Sequence, residues 1–328
     1  MNRVREKRQL LGFSQEELAR LAGIPRTTIS AIESGRAVPS VDYAIRLSKV
    51  LGCSVEELFS QEEFIPFPGF ERGLFVSYRV GHRKILFPVS LAESKESPEG
   101  FLKKEGIEWF EKKHRHTYTF AGCDPSFKLL SEALREEGIR LLVVNLPSMK
   151  ALELLKAGFV HMAGMHMGSF EENVKVARDF LGEGYRILRL FSWEEGIMAR
   201  KVISLRELGR KLWLAREEGS GARKVFDELR IDMNIENFRV VTGGHENIAF
   251  SLKEGFGDAG IGTRASAFDY GLDFMGVKWE DYCLCYREEL EEEQEFLRLL
   301  DFLRGKRYSR LLSYLPGYKK KPMEEVAT

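Results

Sequence analysis

The 328-residue sequence predicts a small all-α domain followed by a larger α/β domain. Residues 14–33 carry the signals of two short helices joined by a tight turn. From Thr117 onward, short apolar runs alternate with helical stretches, and this alternation predicts a mainly parallel sheet covered by helices. Pro66, Pro68 and Gly69 interrupt the chain between these parts. The length is sufficient for two domains of this kind.

The first two helices have clear start and stop signals. Ser14 and Glu17 form the Ser-x-x-Glu pattern of a capping box, so the first helix is predicted to begin at Gln15. Gly23 ends that helix, and Pro25 stands where a second helix can open. The outward N-terminal side of the second helix is the region that a recognition helix presents to the major groove. It carries Arg26, Thr27, Thr28, Ser30 and Ala31.

Residues 3–59 resemble the Xre/Cro-type helix-turn-helix of phage-repressor-like regulators. The resemblance extends from Gly12 through Ile32-Glu33-Ser34-Gly35-Arg36 to Leu58-Phe59. It implies a homodimer that reads a double-stranded DNA operator, with half-sites about 34 Å apart. The implied contacts are a phosphate for Gln15, base edges for Arg26, Thr27 and Ala31 with Ser30 nearby, and the DNA backbone for Ser34, Arg36 and Ser40.

Net charge supports DNA binding only locally and weakly. The whole chain has 50 basic and 50 acidic residues, so its formal charge is zero. Residues 1–60 contain nine basic and seven acidic side chains, a balance of +2. We therefore expect weak binding by one copy, with affinity coming from a dimer on paired half-sites.

The sequence predicts a cytoplasmic protein with no membrane partner. No apolar run approaches the ~18–20 residues that a membrane helix needs. The N-terminal residues are not followed by the apolar core of a signal peptide. The cysteines are scattered without a paired metal spacing, which fits a reducing compartment better than a disulfide framework. They are Cys53, Cys123, Cys283 and Cys285.

Residues 61–117 are interpreted as a linker and coupling segment after a helix-turn-helix domain at 1–60. Two apolar runs, at 73–80 and 84–91, predict a β-hairpin in this segment. The end of the segment is strongly charged and is predicted to be helical around Trp109.

The rest of the chain alternates between predicted strands and helices. The predicted strands are 118–122, 140–144, 159–164, 187–191, 197–201, 211–215, 238–242 and 258–261. The predicted helices are 124–137, 149–157, 173–181, 204–209, 222–230 and 245–254. In open sheets of this kind, ligands bind outside the carboxyl ends of the strands, at helix N-termini. We place the ligand domain at 118–315 and interpret 316–328 as a tail, disordered at Lys319-Lys320-Lys321.

Four loops with small or polar residues lie at this position, which predicts a shared cleft. They are 122–126, 146–149, 217–223 and 243–246. Each leads from a strand into a helix, where free backbone N–H groups favour an anion or another polar group. The predicted ligand-binding residues are Cys123, Asp124, Ser126, Ser148, Met149, Glu195, Gly219, Ser220, Gly221, Arg223, Gly244 and His245.

These loops are also part of a second resemblance. Residues 118–287 look like the periplasmic-binding-protein-type (type II) domain that is fused to Xre modules in bacterial regulators and is similar to molybdate-binding proteins. The matching runs include Ala121–Pro125, Val160–His166, Arg216–Arg223 and Gly257–Ile261. The resemblance implies a two-lobed clamshell with ligand at the hinge. The implied lobes are 118–192 with 267–315, and 193–266. The chain departs from the resemblance at Ala215, where relatives commonly carry an asparagine.

The predicted ligand is a small polar molecule, for which the resemblance favours an oxyanion and an organic ligand is the alternative. Helix N-termini and nearby serine and threonine hydroxyls suit an oxyanion such as molybdate or tungstate. Carboxylates near the same loops make a bare dianion unfavourable, and they favour an organic ligand with N–H donors. They are Asp124, Glu194, Glu195, Glu217 and Glu218. A pterin-containing molybdenum compound or an amino- or nucleobase-like metabolite fits the second description.

A metal site is the less favoured interpretation of the His- and Met-rich stretch near residue 165. His161 and His166, with Met162, Met165 and Met167, would offer the soft ligands that suit copper. Buried packing of flexible methionines accounts for the same residues. The sequence therefore predicts neither a metal nor a cofactor.

Catalysis is likewise the alternative rather than the expectation. Cys123 at a helix N-terminus could be a nucleophile and His245 its base, but no motif ties them together. An enzyme or a protein-binding module tethered to DNA is thus the minor interpretation. The favoured function is a one-component transcription regulator, without enzymatic activity, that responds to a ligand.

Overall fold

The computed structural model describes residues 3–59, 63–90, 96–110, 116–201 and 204–328. The chain divides into two compact units, Met1–Lys112 and Lys113–Thr328. Among the described residues, no helix is both long enough and apolar enough to cross a membrane.

The first unit begins with five helices that pack around one apolar core. They are α1 (Val4–Leu10), α2 (Gln15–Ala22), α3 (Arg26–Glu33), α4 (Val41–Leu51) and α5 (Val55–Phe59). The predicted capping box is present, because Ser14 and Glu17 each accept the backbone N–H of the other with a side-chain oxygen. Gly23 ends α2 with a φ of +64°, which glycine adopts without strain. The fully buried core side chains include Leu18, Ile29, Ile32 and Leu47.

A five-stranded sheet follows within the first unit. Its strands are β1 (Glu63–Pro66), β2 (Gly73–Val80), β3 (Arg83–Pro88), β4 (Gly100–Lys103) and β5 (Gly106–Trp109). Their order is β1-β3-β2-β4-β5, with β1 parallel to β3 and the other neighbours antiparallel. Strands β2 and β3 form a hairpin at the position where the sequence predicts one.

The prediction of a helix around Trp109 is wrong, because this residue ends strand β5. Strand β4 comes so close to β5 that a Cβ on Gly100 would lie 2.4 Å from the carbonyl oxygen of Glu108. The Trp109 ring packs edge-on against Phe75, with ring centroids 5.0 Å apart. Aromatic packing between strands therefore outweighs the helical propensity of the charged residues nearby.

The second unit contains strands and helices in alternation. Its strands are β6 (Thr117–Gly122), β7 (Arg140–Asn145), β8 (Met162–Met165), β9 (Tyr185–Ala199), β10 (Trp213–Arg216), β11 (Phe238–Val241), β12 (Ala259–Thr263), β13 (Asp273–Arg287), β14 (Tyr318–Lys320) and β15 (Glu325–Ala327). Its helices are α6 (Ser126–Glu136), α7 (Ser148–Lys156), α8 (Phe170–Leu181), α9 (Leu205–Leu208), α10 (Gly221–Met233), α11 (His245–Lys253), α12 (Arg264–Asp269), α13 (Gln294–Arg304) and α14 (Lys306–Ser313), with a 3₁₀ turn at Glu288–Glu292.

The main sheet of this unit has the order β11-β10-β12-β9-β13-β8-β6-β7. Strand β10 is parallel to β11 and β12, and β6 is parallel to β7 and β8. The long strands β9 and β13 run antiparallel to each other between these two groups. We call β6–β8 with their helices the first lobe, β10–β12 with theirs the second lobe, and β9 and β13 the crossing strands. The prediction of a two-lobed α/β domain is thus confirmed.

Strand β9 differs from the two separate strands that the sequence predicts there. It continues through the charged residues Glu194 and Glu195, because β13 pairs with it along nearly its whole length. Glu194 is neutralised by Arg264, whose Nη2 lies 3.1 Å from Glu194 Oε1. Glu195 is completely buried. A long antiparallel partner therefore holds as one strand a segment whose charges suggested a break.

The prediction of a disordered tail is wrong as well. Strands β14 and β15 both pair antiparallel with β9. Strand β12 pairs with the last residues of β9, and β14 and β15 pair with earlier residues along the same edge. An uncovered strand edge leaves backbone groups unpaired, and the last residues of the sequence satisfy them here.

Candidate functional site

The exposed side of α3 and the start of α2 enclose a shallow groove of about 460 Å³. The residues that line it were all predicted to contact DNA. They are Gln15, Arg26, Thr27, Ser30, Ala31 and Arg36. Most of the predicted DNA contacts therefore share one surface, and their contact with DNA stays a prediction.

A buried carboxylate holds this surface in place from behind. Glu33 is only 5% exposed, at the end of α3. It accepts hydrogen bonds from Arg8 Nε at 2.6 Å and from Gln15 Nε2 at 2.8 Å. Burial alone would raise the pKa of Glu33, but the hydrogen bonds from Arg8 and Gln15 and the charge of Arg5 outweigh it and lower the pKa. Glu33 thus stays ionised and links α1, α2 and α3.

The other three predicted DNA residues lie outside the groove lining. Ser34 Oγ donates to the Ser30 carbonyl oxygen at 2.8 Å and accepts from Arg36 Nε at 2.9 Å. Ser40 caps α4, where its Oγ accepts from a backbone N–H. Thr28 is half-buried. Ser34 therefore orients Arg36, whereas Ser40 positions the next helix.

In the second unit, two carboxylates lie where the crossing strands pass between the lobes. Glu195 on β9 is paired in register with Lys278 on β13, and Glu280 with Trp193. Both carboxylates are completely buried. Lys278 Nζ lies 2.6 Å from Glu280 Oε1, so the charge of Glu280 is compensated locally.

His166 connects these carboxylates with a thiol. Its ring follows the end of β8, where Nε2 lies 3.1 Å from Cys123 Sγ. On the other side of the ring, Nδ1 donates to Glu280 Oε2 at 2.7 Å and lies 3.3 Å from Glu195 Oε1. The fifth member of this group is His245, whose Nε2 lies 3.7 Å from Glu195 Oε1. We call Cys123, His166, Glu195, His245 and Glu280 the cleft cluster.

The members of the cleft cluster have strongly shifted pKa values. Burial alone would lower the pKa of His166, but Cys123, Glu195 and Glu280 together raise it well above its usual value. Burial and the neighbouring Glu280 raise the pKa of Glu195. The pKa of Glu280 is lowered, because His166 and Lys278 outweigh the effect of burial. Burial lowers the pKa of His245 most, and the positive charges of Arg216 and His166 lower it further. The expected state is therefore cationic His166, anionic Glu280, and neutral Glu195 and His245.

Several buried atoms of this cluster have no hydrogen-bond partner among the residues that the structure describes. They are both ring nitrogens of His245, both carboxylate oxygens of Glu195, and Oε1 of Glu280, which is in an ion pair with Lys278. Nη1 of Arg216, beside the cluster, has no such partner either. Buried polar atoms in folded proteins are normally paired. The cluster can also provide metal ligands, since donor atoms of Cys123, His166 and His245 lie within 4.8 Å of one another.

The two lobes touch at the predicted glycine-rich loops. The Met149 N–H of the first lobe donates to the Gly219 carbonyl of the second at 3.3 Å. A Cβ on Gly221 would lie 2.5 Å from His166 Nδ1, and one on Gly244 would lie 2.3 Å from the side chain of Asn145. Glycine at 221 and 244 therefore permits the lobes to approach each other around the cleft cluster.

Four predicted ligand hydroxyl and carboxylate groups are instead bonded within the protein. Asp124 accepts from the N–H and hydroxyl of Ser126 and from the Tyr318 hydroxyl. Ser148 Oγ bonds to the backbone of His166, at 3.2 Å from its nitrogen. Ser220 Oγ caps α10 and donates to a carbonyl oxygen.

Arg223 is also held within the second lobe. Its Nε contacts Asp227 at 2.9 Å, and its Nη1 donates to the Arg216 carbonyl oxygen. Arg223 therefore supports the glycine-rich loop from behind, whereas Arg216 is the buried cation near the cleft cluster. Whether any of these residues contacts a ligand stays a prediction.

The family described as the PBP superfamily domain matches residues 131–304, which is more than half of the chain. The chain therefore belongs to the PBP superfamily. In solved structures, its PBP domain is similar to a substrate-binding protein from Clostridium perfringens that is named for a phosphate ABC transporter and was crystallised with bound phosphate. That match has a TM-score of 0.50 at 12% identity and covers 63% of this chain and 100% of the other, so it shows the shared fold.

The N-terminal helices have their own relatives. A helix-turn-helix family matches residues 4–58. Over 62 residues the chain is 40% identical to YgzD, an uncharacterized HTH-type transcriptional regulator of Bacillus subtilis, covering 19% of this chain and 94% of that protein. Over 61 residues it is 44% identical to an uncharacterized HTH-type transcriptional regulator of Methanothermobacter thermautotrophicus, covering 18% and 88%. This PBP superfamily member thus carries a regulator-type helix-turn-helix and a binding-type domain.

Glu280 and Arg216, at the centre of the PBP domain, are not among the predicted site residues, and His166 is named only in the less favoured metal interpretation. His166 was grouped with His161, but the structure separates them, because His161 Nδ1 lies 2.9 Å from Thr119 Oγ1 inside the first lobe. Position could have identified His166, since it directly follows a buried strand. Glu280 and Arg216 gave no such signal, because their neighbours in the cluster are distant in sequence.

Proposed function

We propose that this protein is a ligand-responsive DNA-binding transcription regulator. A helix-turn-helix reads the operator, and the PBP domain closes on a small polar ligand. The observation that carries the proposal is the combination of six predicted DNA residues in one groove with a buried polar cluster between two lobes. The similarity of the N-terminal residues to HTH-type transcriptional regulators supports the first part.

The ligand that the cleft cluster suits best is small and carries a positive charge or N–H donors. The sequence favours molybdate or tungstate, and the helix N-termini near the cleft support an anion. The hydroxyls of Ser126, Ser148 and Ser220, however, are bonded within the protein. Glu195 in contrast offers two buried acceptor oxygens without hydrogen-bond donors among the described residues. Glu280 is anionic and would repel a dianion, and Glu195 becomes anionic where a cation or an N–H donor binds it, so such a group would be stabilised.

Ligand binding controls DNA binding through the population of lobe arrangements. A ligand shifts such an equilibrium only by its different affinity for the two arrangements. In a homodimer, a change in the second unit would alter how two recognition helices engage half-sites about 34 Å apart. Homodimerisation is part of this proposal.

The test begins with an operator selected from a randomised DNA library by the full chain. Arg26→Ala serves as the control that should no longer prefer the selected sequence. A thermal-shift panel of molybdate, tungstate, phosphate, amino acids and nucleobases then identifies ligands, since ~100-fold saturation stabilises by ~2.7 kcal/mol. We expect a stabilising ligand to change operator affinity. Unchanged operator affinity at saturating ligand would contradict the proposal. Stabilisation by molybdate alone would show that the ligand is an oxyanion and not a cation or N–H donor.

A further inference from the structure

We propose that the cleft cluster binds one divalent transition-metal ion, Zn²⁺ by preference, through Cys123, His166 and His245. The inference names the ligand of the proposed regulator and rests on that function. Tetrahedral zinc sites combine thiolate sulfur and imidazole nitrogen, as this set does, and sites with three protein ligands keep a fourth position open. Thiolate and imidazole ligands also disfavour Mg²⁺ and Ca²⁺, which take oxygen.

The spacing of the donor atoms suits a small ion. Donor atoms of Cys123, His166 and His245 lie within 4.8 Å of one another, and Cys123 Sγ is 3.1 Å from His166 Nε2. Around tetrahedral Zn²⁺, with bonds of about 2.3 Å to sulfur and 2.0–2.1 Å to nitrogen, neighbouring ligand atoms are roughly 3.3–3.6 Å apart. Side-chain movements of about an ångström would therefore bring the three ligands to bonding distance.

The unpaired atoms of the cluster point to the same conclusion. Neither ring nitrogen of His245 has a hydrogen-bond partner among the described residues, although the side chain is completely buried. The same is true of both oxygens of Glu195. Folded proteins rarely leave such groups unsatisfied. A cation bound by His245 satisfies one of these nitrogens, and its positive charge would compensate an ionised Glu195, whose Oε1 lies 3.7 Å from His245 Nε2.

The surroundings of His166 match those of a metal-binding imidazole. Such a ring usually donates its second N–H to a carboxylate, which fixes the ring and leaves the other nitrogen for the metal. His166 Nδ1 is 2.7 Å from Glu280 Oε2, and Nε2 is the nitrogen beside Cys123. Lys278 in turn holds the other oxygen of Glu280. Glu280 is therefore assigned as a positioning residue and not as a ligand.

The origin of the ligands explains how a metal would act on the domain. Cys123 and His166 follow strands of the first lobe, and His245 begins α11 of the second. One ion bonded to these three residues joins the two lobes directly. It would favour the closed arrangement over any arrangement in which the lobes are apart.

A catalytic triad is the competing interpretation of the same atoms. Cys123, His166 and Glu280 have the order of a thiol nucleophile, its base and the acid that orients the base. That interpretation gives no role to His245, whose two buried ring nitrogens have no hydrogen bond among the described residues. The metal uses His245 as well as Cys123 and His166, with Glu280 as the residue that orients His166.

The experiment titrates the full, chelator-stripped chain with Zn²⁺ against a chromophoric competitor, and with Co²⁺ while absorbance is recorded. We expect one tightly bound Zn²⁺ per chain and a near-ultraviolet thiolate-to-cobalt band. Cys123→Ser should remove the band, and His245→Gln should weaken Zn²⁺ binding by about 100-fold or more. Glu280→Gln should weaken it by about 10–100-fold.

Cys285→Ser is the matched control, because Cys285 is a completely buried thiol on β13 outside the cleft cluster. It should bind Zn²⁺ within twofold of the unmodified chain. Circular dichroism without metal identifies any variant that does not fold, and the Co²⁺ spectrum of the unmodified chain decides the question without variants.

A chain that takes up no Zn²⁺, or a folded Cys123→Ser variant that keeps the band, overturns the metal site. Iodoacetamide modification of Cys123 that Zn²⁺ does not slow also overturns it and favours the triad. If Zn²⁺ binds but operator affinity is unchanged, the metal site stands and the proposed ligand control of DNA binding fails. If another ligand controls operator binding and Zn²⁺ does not bind, the metal site fails and the proposed ligand control of DNA binding stands.

Discussion

Replacing Glu33 with alanine removes the carboxylate that joins the first three helices. Glu33 accepts from Arg8 Nε at 2.6 Å, Arg8 Nη2 at 3.1 Å and Gln15 Nε2 at 2.8 Å. Hydrogen bonds to charged groups contribute about 1.5–3 kcal/mol each, but the two from Arg8 act together as one pair. Breaking a buried pair costs about 3–5 kcal/mol, and Arg8 keeps some access to water. We therefore expect Glu33→Ala to destabilise these helices by about 3 kcal/mol.

Hydrogen exchange read by mass spectrometry on the full chain measures this loss locally. Peptides from α2 and α3 should exchange about 100-fold faster in Glu33→Ala, since about 1.4 kcal/mol corresponds to tenfold. Peptides from the second unit serve as an internal reference. Glu16→Gln is the matched variant, because Glu16 is an exposed carboxylate whose pairing with Arg26 contributes at most about 1 kcal/mol. Exchange in Glu33→Ala within twofold of the unmodified chain would refute the reasoning.

The stabilisation by Glu33 depends on pH with a definite sign. Because the folded pKa of Glu33 is lowered, its stabilisation is fully present above the unfolded value near 4.5. It is lost as the pH falls through the lower, folded pKa. The difference in unfolding free energy between the unmodified chain and Glu33→Gln should therefore shrink below about pH 4.5. A difference that grows on acidification would contradict the assignment.

Three further predictions concern the two binding surfaces. Arg26→Ala should cost about 1–3 kcal/mol at one base position and relax specificity there; binding to single-base operator variants checks this, and a uniform loss would make Arg26 a phosphate contact. Glu16→Gln should raise affinity for all DNA sequences a few-fold, most at low salt, because it removes a carboxylate 3.4 Å from the Arg26 guanidinium; a salt titration shows whether it does. Gly221→Ala should weaken ligand binding at least tenfold, as the methyl would lie 2.5 Å from His166 Nδ1; calorimetry with unchanged affinity would show that the lobes do not need this approach.

Local signals were enough to predict the helix-turn-helix. The capping box of Ser14 and Glu17 and the left-handed Gly23 depend only on residues within a few positions of one another. The alternation of strands and helices likewise predicted the α/β domain. The rule that helix N-termini meet at the carboxyl edge of a sheet led to the four loops predicted to bind ligand, and ligand contact by these loops stays a prediction.

Strand pairings and hydrogen bonds between residues distant in sequence could not be predicted from the sequence. The continuity of β9 depends on β13, and the contact of His166 with Glu280 joins residues 114 positions apart. Residues 318–320 form a strand because they pair with an edge of β9 that would otherwise be left unpaired. Ser126 and Ser220 have the right residue type for a ligand, but their hydroxyls are bonded within the protein. Residue type and spacing predict candidates, whereas hydrogen-bond partners are settled only by the fold.

The route of the crossing strands has a consequence for how the chain folds. The second lobe is one continuous stretch between β9 and β13, so its contacts are closer in sequence than those of the first lobe. The first lobe must wait for β13, whose Cys283 pairs with Met165 more than a hundred residues earlier, and the crossing strand β9 must wait for β15 after that. Contacts of large sequence separation form slowly, because chain entropy must be lost before they are made. During synthesis we expect the inserted lobe to fold first, and the lobe that begins earlier in the sequence to finish last.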